Sequence, residues 1–478
     1  MPADISASIL AELTAVTGTH GITTDADALE PHVTEWRGLY RGRTPVMVAP
    51  ATTAEAAGIL RICHAQRIGV VPQGGNTGLV GGAIPASTAA APQIVLSAHR
   101  LKAIRALDPD NYTITAEAGC LLADVQAAAE AADRFFPLSL AAEGSCQLGG
   151  NVSTNAGGTN VLRYGNTRDL VLGLEVVLPD GRVYEGLRGL RKDNTGYDVK
   201  QLFIGAEGTL GFITAATCKL FPPPRSLSTA FVAIAEPADA IALQSRARVT
   251  LGDQLIAFEL INRRAVDFVL AHIPDVRDPF ASAHPWYALL ELGSAGPGAA
   301  ADAQMEAFLE EGLQSGHLVD AVLAQNSGQR AELWRLRHSI SEAQKRGGAG
   351  IKHDISVPVS RIPEFLTAAG RVVAEQIPGV QVVAFGHLGD GNLHFNLNQP
   401  DAMDAGAFLD LWEPVSLAVH SVAADLGGSF SAEHGVGALK RRDLARWRGG
   451  VELDLMRAVK AAIDPTGIMN PGKVLPDD

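Results

Sequence analysis

The sequence predicts an α+β protein of more than one domain. A chain of 478 residues exceeds what one hydrophobic core organises. A strand–helix–strand pattern opens the first half, and three successive prolines at 222–224 then separate it from a second stretch of mixed strand and helix. Hydrophobic residues at 47% and charged residues at 19% suit a globular chain rather than a disordered one.

Residues 1–40 read as a short helical lead-in. Residues 45–49 form a strand candidate, and Thr52 with Glu55 three positions on has the form of a capping box. A helix to about Arg67 and a strand at 69–72 complete a β-α-β unit, which runs directly into the glycine-rich stretch 73–82. A strand at 112–116, a helix at 122–132 and a strand around Phe135 follow. The domains expected are a lead-in at 1–40, a first domain at 41–223, a second at 224–430, and a Gly- and Pro-rich segment at 431–478 that returns to the first.

Charge narrows the function classes. Lys plus Arg number 39 against 52 for Asp plus Glu, a formal net charge of -13. That balance opposes a general affinity for nucleic acid or anionic membrane. A few cations focused in one cleft can still attract a small anion. Cys63, Cys120, Cys146 and Cys218 lie far apart and form no CxxC pair, which argues for a reducing compartment. Residues 1–18 lack a basic stretch followed by an apolar core, and no apolar run approaches the roughly 20 residues needed to span a bilayer. The cytoplasm is the expected location.

Gly occupies 50 positions, and they cluster. Consecutive N–H groups in a Gly-rich turn form a nest for phosphate oxygens. Gly74, Gly75, Gly78, Gly81 and Gly82 have this form, but the loop is neither GxGxxG nor a Walker sequence. From the residues alone it is a dinucleotide loop or a tight turn.

Three blocks resemble the flavin loops of the vanillyl-alcohol-oxidase-type FAD enzymes: PQGGNTGLVGG at 72–82, GGNVSTNAGG at 149–158 and IGAEGTLGFIT at 204–214. The block LRKDNTGYDVKQLF at 190–203 is similar to D-2-hydroxyglutarate dehydrogenases, and the likeness runs from about 45 to 475. The resemblance implies a vanillyl-alcohol-oxidase-type FAD-binding domain of two α+β subdomains plus an α+β substrate (cap) domain. Gly74, Gly75, Asn76, Thr77 and Gly78 would then hold the pyrophosphate, with Pro72 also at the cofactor. Gly144, Ser145, Gly149, Asn151, Ser153, Thr154, Gly157, Gly158, Glu207, Gly208 and Ile213 would lie along the cofactor, with Asn470 near the isoalloxazine. Some relatives attach FAD through a histidine in the first loop. Asn76 and no His stands in that stretch, so the FAD is expected to be non-covalent.

The segment VVAFGHLGDGNLHFN at 382–396 reads as a β-hairpin turning at 389–392. A turn symmetric about Asp390 and Gly391 would set His387 opposite His394, close enough to share a metal ion, with Asn396 on the same face. The motif SAEHGVG at 431–437 adds Glu433, for a site of two histidines and one carboxylate. In the resembled dehydrogenases the matched residues bind a divalent ion, here expected to be zinc, with manganese second. His434 is the expected base. Oxidising a secondary alcohol requires removal of the hydroxyl proton and transfer of the carbinol hydride to flavin N5, and a neutral imidazole suits the first task.

The resemblance also makes Arg337, Ser341 and Lys352, with Asn396 and His434, candidates for holding substrate. The first three would grip a distal carboxylate. Where the family more often has Thr, this chain has Ser341. Lys352 has no counterpart in the related D-lactate dehydrogenases, which favours a dicarboxylate. Lys440, Arg441 and Arg442 read as solvated helix charge. The function implied is oxidation of D-2-hydroxyglutarate to 2-oxoglutarate. The alternatives are a D-lactate or broad D-2-hydroxy-acid (including D-malate) dehydrogenase, or a flavin-binding protein without turnover. The expected partners are a small dicarboxylate and an acceptor such as an electron-transfer flavoprotein or quinone, in a homodimer.

Overall fold

The computed structural model describes residues 4–88, 91–296 and 300–477. The chain divides into two compact units: residues 1–157, 165–223 and 433–478 form the first, and 158–164 with 224–432 the second.

The first unit holds two sheets. Strand Gln93–Ser97 lies between Met47–Val48 and Gly69–Gln73 and is parallel to both, while Ile22–Thr23 pairs antiparallel with Met47–Val48. The lead-in therefore supplies an edge strand as well as the helix Ala7–Thr17. Helix Thr53–Gln66 makes the crossover between parallel strands. The Thr52 hydroxyl accepts the Glu55 N–H at 3.1 Å, but the Glu55 carboxylate reaches back to Ala51 N at 2.7 Å, one residue before the cap. Ala56, Ile59, Leu60 and Cys63 bury one helix face, and Arg67 in the left-handed region (φ 53) ends it.

The second sheet is antiparallel throughout, in the order Ile104–Asp108, Thr113–Glu117, Phe212–Lys219, Val171–Val177, Val183–Gly186. Tyr112 sits at φ 53, so its strand begins at Thr113 rather than 112. Phe135 forms an isolated bridge with Phe221 instead of a strand. Pro137, two residues on, offers no N–H to extend the pairing.

The second unit is built on one eight-stranded antiparallel sheet. Its strands alternate between two cores. Val232, Phe258, Leu260 and Leu290 belong to the core under helices Pro237–Thr250, Ala300–Gln314, Ile362–Gln376 and Trp412–Asp425. Phe231, Ile261, Leu289 and Phe385 belong to the core under Arg263–His272, Ser327–His338 and Ile340–Arg346. This period of two fixes which side chains share a face. Among the described residues no helix is long and apolar enough to cross a membrane.

Candidate active site

In the first unit the glycine blocks converge. A side chain at Gly75 would meet the Ser145 carbonyl at 2.0 Å, and one at Gly149 would meet Ala118 at 2.6 Å, so the backbones pass too closely for any other residue. Gly208 (φ 72) lies against Pro72, while Gly78, Gly144 and Gly150 face open space. The Asn470 amide ties the blocks together, donating to the carbonyls of Gly82 at 2.9 Å and Glu207 at 2.7 Å. Its own segment is anchored by Lys460, which donates to the carbonyls of Thr209 and Met469 and to the Asp464 carboxylate.

Several residues expected along the cofactor have side chains already engaged. Asn76 donates to the carbonyls of Pro31 and Thr34. The hydroxyls of Ser153 and Thr154 donate to Gly149 and Gly150 within their own helix, Leu148–Thr154. The Glu207 carboxylate accepts the N–H groups of Val436 and Gly437, and Ile213 is buried in the sheet. Burial pushes Glu207 above the usual carboxylate range, the two N–H donors only partly opposing it. Gly157 belongs to the first unit and Gly158 to the second, where Arg163 donates to the Gly293 carbonyl.

The block residues suit a bound dinucleotide. Gln147 Oε1, Asn151 Oδ1 and Asn470 Oδ1 are buried without a partner among the described residues. Buried oxygens are normally paired, so these three are consistent with a ligand that brings donors.

In the second unit the charged cluster lies on the face shared with Ile261 and Phe385. Glu259 stands opposite His387 in the strand register, and His394 stands opposite Phe385. The hairpin therefore corrects the sequence expectation that His387 faces His394. The His387 carbonyl accepts from both Asp390 and Gly391, which closes a four-residue turn at 388–391 and shifts the pairing. The rings still meet diagonally, with centroids 6.1 Å apart.

Glu259 was not singled out in the sequence, where it is one carboxylate in an apolar strand. It is 1% exposed and accepts Arg337 Nε–H at 2.7 Å on one oxygen and pairs with His387 Nδ1 at 2.5 Å on the other. Burial alone would raise its pKa; the charges of Arg337 and His387 prevail and bring it to about 2. The Arg337 guanidinium lies over the Phe385 ring at 4.8 Å, and its two terminal nitrogens have no partner among the described residues.

Asp354, also missed, is 2% exposed, faces His394 at 3.9 Å and accepts the Asn392 amide at 2.9 Å. Asn396 shares this face, but its amide donates to Gln344 and its oxygen accepts His353 N–H, so both ends are held by protein. Ser341 is exposed on helix Ile340–Arg346, and Lys352 is half-buried between strands Gly350–Ile351 and Asp354–Ser356. Glu433 and His434 lie outside helices and strands, immediately after Ala432, whose N–H donates to the Asp354 carbonyl at 3.2 Å.

Comparison with known proteins places this architecture. Residues 44–186 match the FAD binding domain family, and residues 223–474 match the FAD linked oxidases, C-terminal domain. The D-2-hydroxyglutarate dehydrogenase of Xanthomonas citri pv. viticola is 38% identical over 453 residues, covering 95% of this chain and 94% of the relative. The mitochondrial D-2-hydroxyglutarate dehydrogenase of Bos taurus is 41% identical over 456 residues, covering 95% and 81%. Among solved structures, p-cresol methylhydroxylase with substrate bound superposes with a TM-score of 0.77 at 16% identity, covering 100% of this chain and 99% of its own. Alkyldihydroxyacetonephosphate synthase gives 0.75 at 16% identity, covering 98% and 87%. The fold is thus the vanillyl-alcohol-oxidase-type α+β fold, and the chain belongs to the family of FAD-dependent D-2-hydroxyglutarate dehydrogenases.

Proposed function

We propose that the protein oxidises D-2-hydroxyglutarate to 2-oxoglutarate, using non-covalent FAD and a divalent ion held by His387, His394 and Glu433. The observation that carries the reading is the buried cluster on one sheet face, where a guanidinium with two terminal nitrogens available lies beside two imidazoles. Carboxylate binding needs the first, and a divalent ion with room for substrate needs the second.

The donor chemistry fits zinc ahead of manganese, since imidazole nitrogens outnumber oxygens. Glu433 is one peptide step, about 3.8 Å in Cα spacing, beyond Ala432, which is bonded to the strand residue opposite His394. When bound, FAD would supply the acceptor for the hydride of the carbinol, and the ion would supply Lewis acidity toward its oxygen. The chain's residues do the rest. Arg337, with Lys352 and Ser341, holds the distal carboxylate, and Asn396, fixed at both ends by Gln344 and His353, stands on the same face as a substrate contact. His434 accepts the hydroxyl proton.

The acceptor is taken to be an electron-transfer flavoprotein or a quinone, and the assembly a homodimer. The cytoplasm remains the proposed compartment, supported by four buried free thiols. Turnover of Arg337→Ala and Lys352→Ala on D-2-hydroxyglutarate, D-malate and D-lactate tests the substrate class. Selective loss on the dicarboxylates supports it. An equal loss on D-lactate would favour a broad D-2-hydroxy-acid dehydrogenase instead.

A further inference from the structure

Glu259 is an expensive residue to keep where it stands. Its strand neighbours Phe258, Leu260 and Ile261 are at most 1% exposed, and so is the carboxylate itself. A buried ion pair is commonly no more stabilising than a well-packed apolar replacement, so stability alone gives little account of it.

Its two oxygens divide between two partners distant in sequence. Oε2 receives Arg337 Nε–H, and Oε1 faces His387 Nδ1. Both partners belong to the proposed site, one on the carboxylate side and one on the metal side. A carboxylate facing Nδ1 draws the ring proton there and leaves the Nε2 lone pair for an ion. The backbone enforces this arrangement, because Glu259 and His387 are paired residues of neighbouring strands. On the other oxygen, the Nε contact and the Phe385 ring hold the guanidinium from two sides and leave its terminal nitrogens for a ligand.

We propose that Glu259 is a positioning residue that sets the His387 tautomer for metal binding and the Arg337 orientation for the substrate's distal carboxylate. The inference rests on the metal and substrate reading above. It adds that the two functions share one bracket, so a single change degrades both.

Glu259→Gln tests it. Glutamine keeps the volume but presents one oxygen and one NH2; Arg337 Nε–H can only donate and so takes the oxygen, leaving the NH2 to donate to His387 Nδ1 and move the ring proton to Nε2. Zinc affinity, measured by chelator competition on the flavin-loaded protein without turnover, should fall about 10- to 100-fold. The KM for D-2-hydroxyglutarate should rise with it, while the flavin spectrum is kept. Arg337→Ala separates the two arms, because it should raise KM and leave zinc affinity within about threefold, the site's second arm being intact.

Should Glu259→Gln fail to fold, ¹⁵N-histidine spectra of the unaltered flavin-loaded protein, stripped of its ion, decide, with His387 assigned by His387→Asn. A protonated Nδ1 supports the proposal and a protonated Nε2 overturns it. Folded Glu259→Gln with unchanged zinc affinity also overturns it. His387→Ala keeps the two claims distinct. If that variant loses zinc while Glu259→Gln does not, only the positioning role fails; if it binds zinc normally, the metal reading fails and takes this inference with it.

Discussion

The Glu207 carboxylate accepts the main-chain N–H of Val436 at 2.7 Å, linking residues that are 229 positions apart. Its second oxygen accepts Gly437 N–H at 2.8 Å, and its main-chain N–H and carbonyl engage Ser153 and Asn470. One buried residue thus pins the segment that follows His434 to the glycine blocks. Removing two charge-assisted bonds should destabilise Glu207→Ala by about 2–4 kcal/mol. Hydrogen exchange at Val436 and Gly437 should accelerate beyond the rest of the unit. Gly435→Ala should act in the same direction, because at φ 75 its Cβ would come within 2.7 Å of Glu207 Oε1. Unchanged exchange at both amides in Glu207→Ala would contradict this.

His434 is proposed to take the substrate's hydroxyl proton. His434→Asn should slow flavin reduction by about 10²- to 10⁴-fold, the usual range for a missing general base. Flavin content and zinc content should remain near those of the unaltered enzyme. Stopped-flow reduction rates measure this, and a loss below tenfold would assign His434 a supporting role only.

Metal removal should separate the two cofactors. Prolonged chelation should abolish turnover and leave the flavin absorbance in place, and zinc or manganese should restore activity. His387→Ala and His394→Ala should each fail to retain the ion in elemental analysis. Full activity in a chelated, metal-free sample would exclude the ion from the reaction.

Lys473 follows the Asn470 turn and is 7% exposed. Burial, reinforced by the Arg441 charge, lowers its pKa to about 8. An unfolded lysine titrates near ~10.4, so between these values the unfolded chain binds more protons and stability rises with pH. Below about pH 8 the folded amine carries its full penalty; above about 10.4 it carries none. Lys473→Met should therefore gain stability over the unaltered chain at pH 7.5, with the gap shrinking by pH 10. Denaturant titrations at both values check it, and a constant gap would contradict the assignment.

The glycine blocks were legible in the sequence because close backbone approach excludes side chains, as at Gly75 against Ser145. The hairpin at 381–398 was legible too, from its alternation and its Gly-Asp-Gly turn. Its register was not. That depended on the His387 carbonyl taking two N–H donors, a choice of turn length that composition leaves open. Glu259 and Asp354 were hidden for another reason. Their partners lie on other elements, and a lone acid in a strand looks like any solvent-facing residue until the sheet is covered. Residues 158–164 follow a glycine pair that reads as cofactor loop, and long-range contacts, Arg163 with the Gly293 carbonyl and Leu162 against the second unit's core, place them in the second unit.

This enzyme draws electrons from a D-2-hydroxy dicarboxylate into FAD. The most direct test is an anaerobic visible spectrum of the purified protein before and after adding D-2-hydroxyglutarate, L-2-hydroxyglutarate or D-lactate in separate cuvettes. The expected result is bleaching of the flavin band by D-2-hydroxyglutarate, with the L-enantiomer inert and D-lactate far slower. A flavin band unmoved by D-2-hydroxyglutarate in metal-replete protein, or bleached as fast by D-lactate, would contradict it.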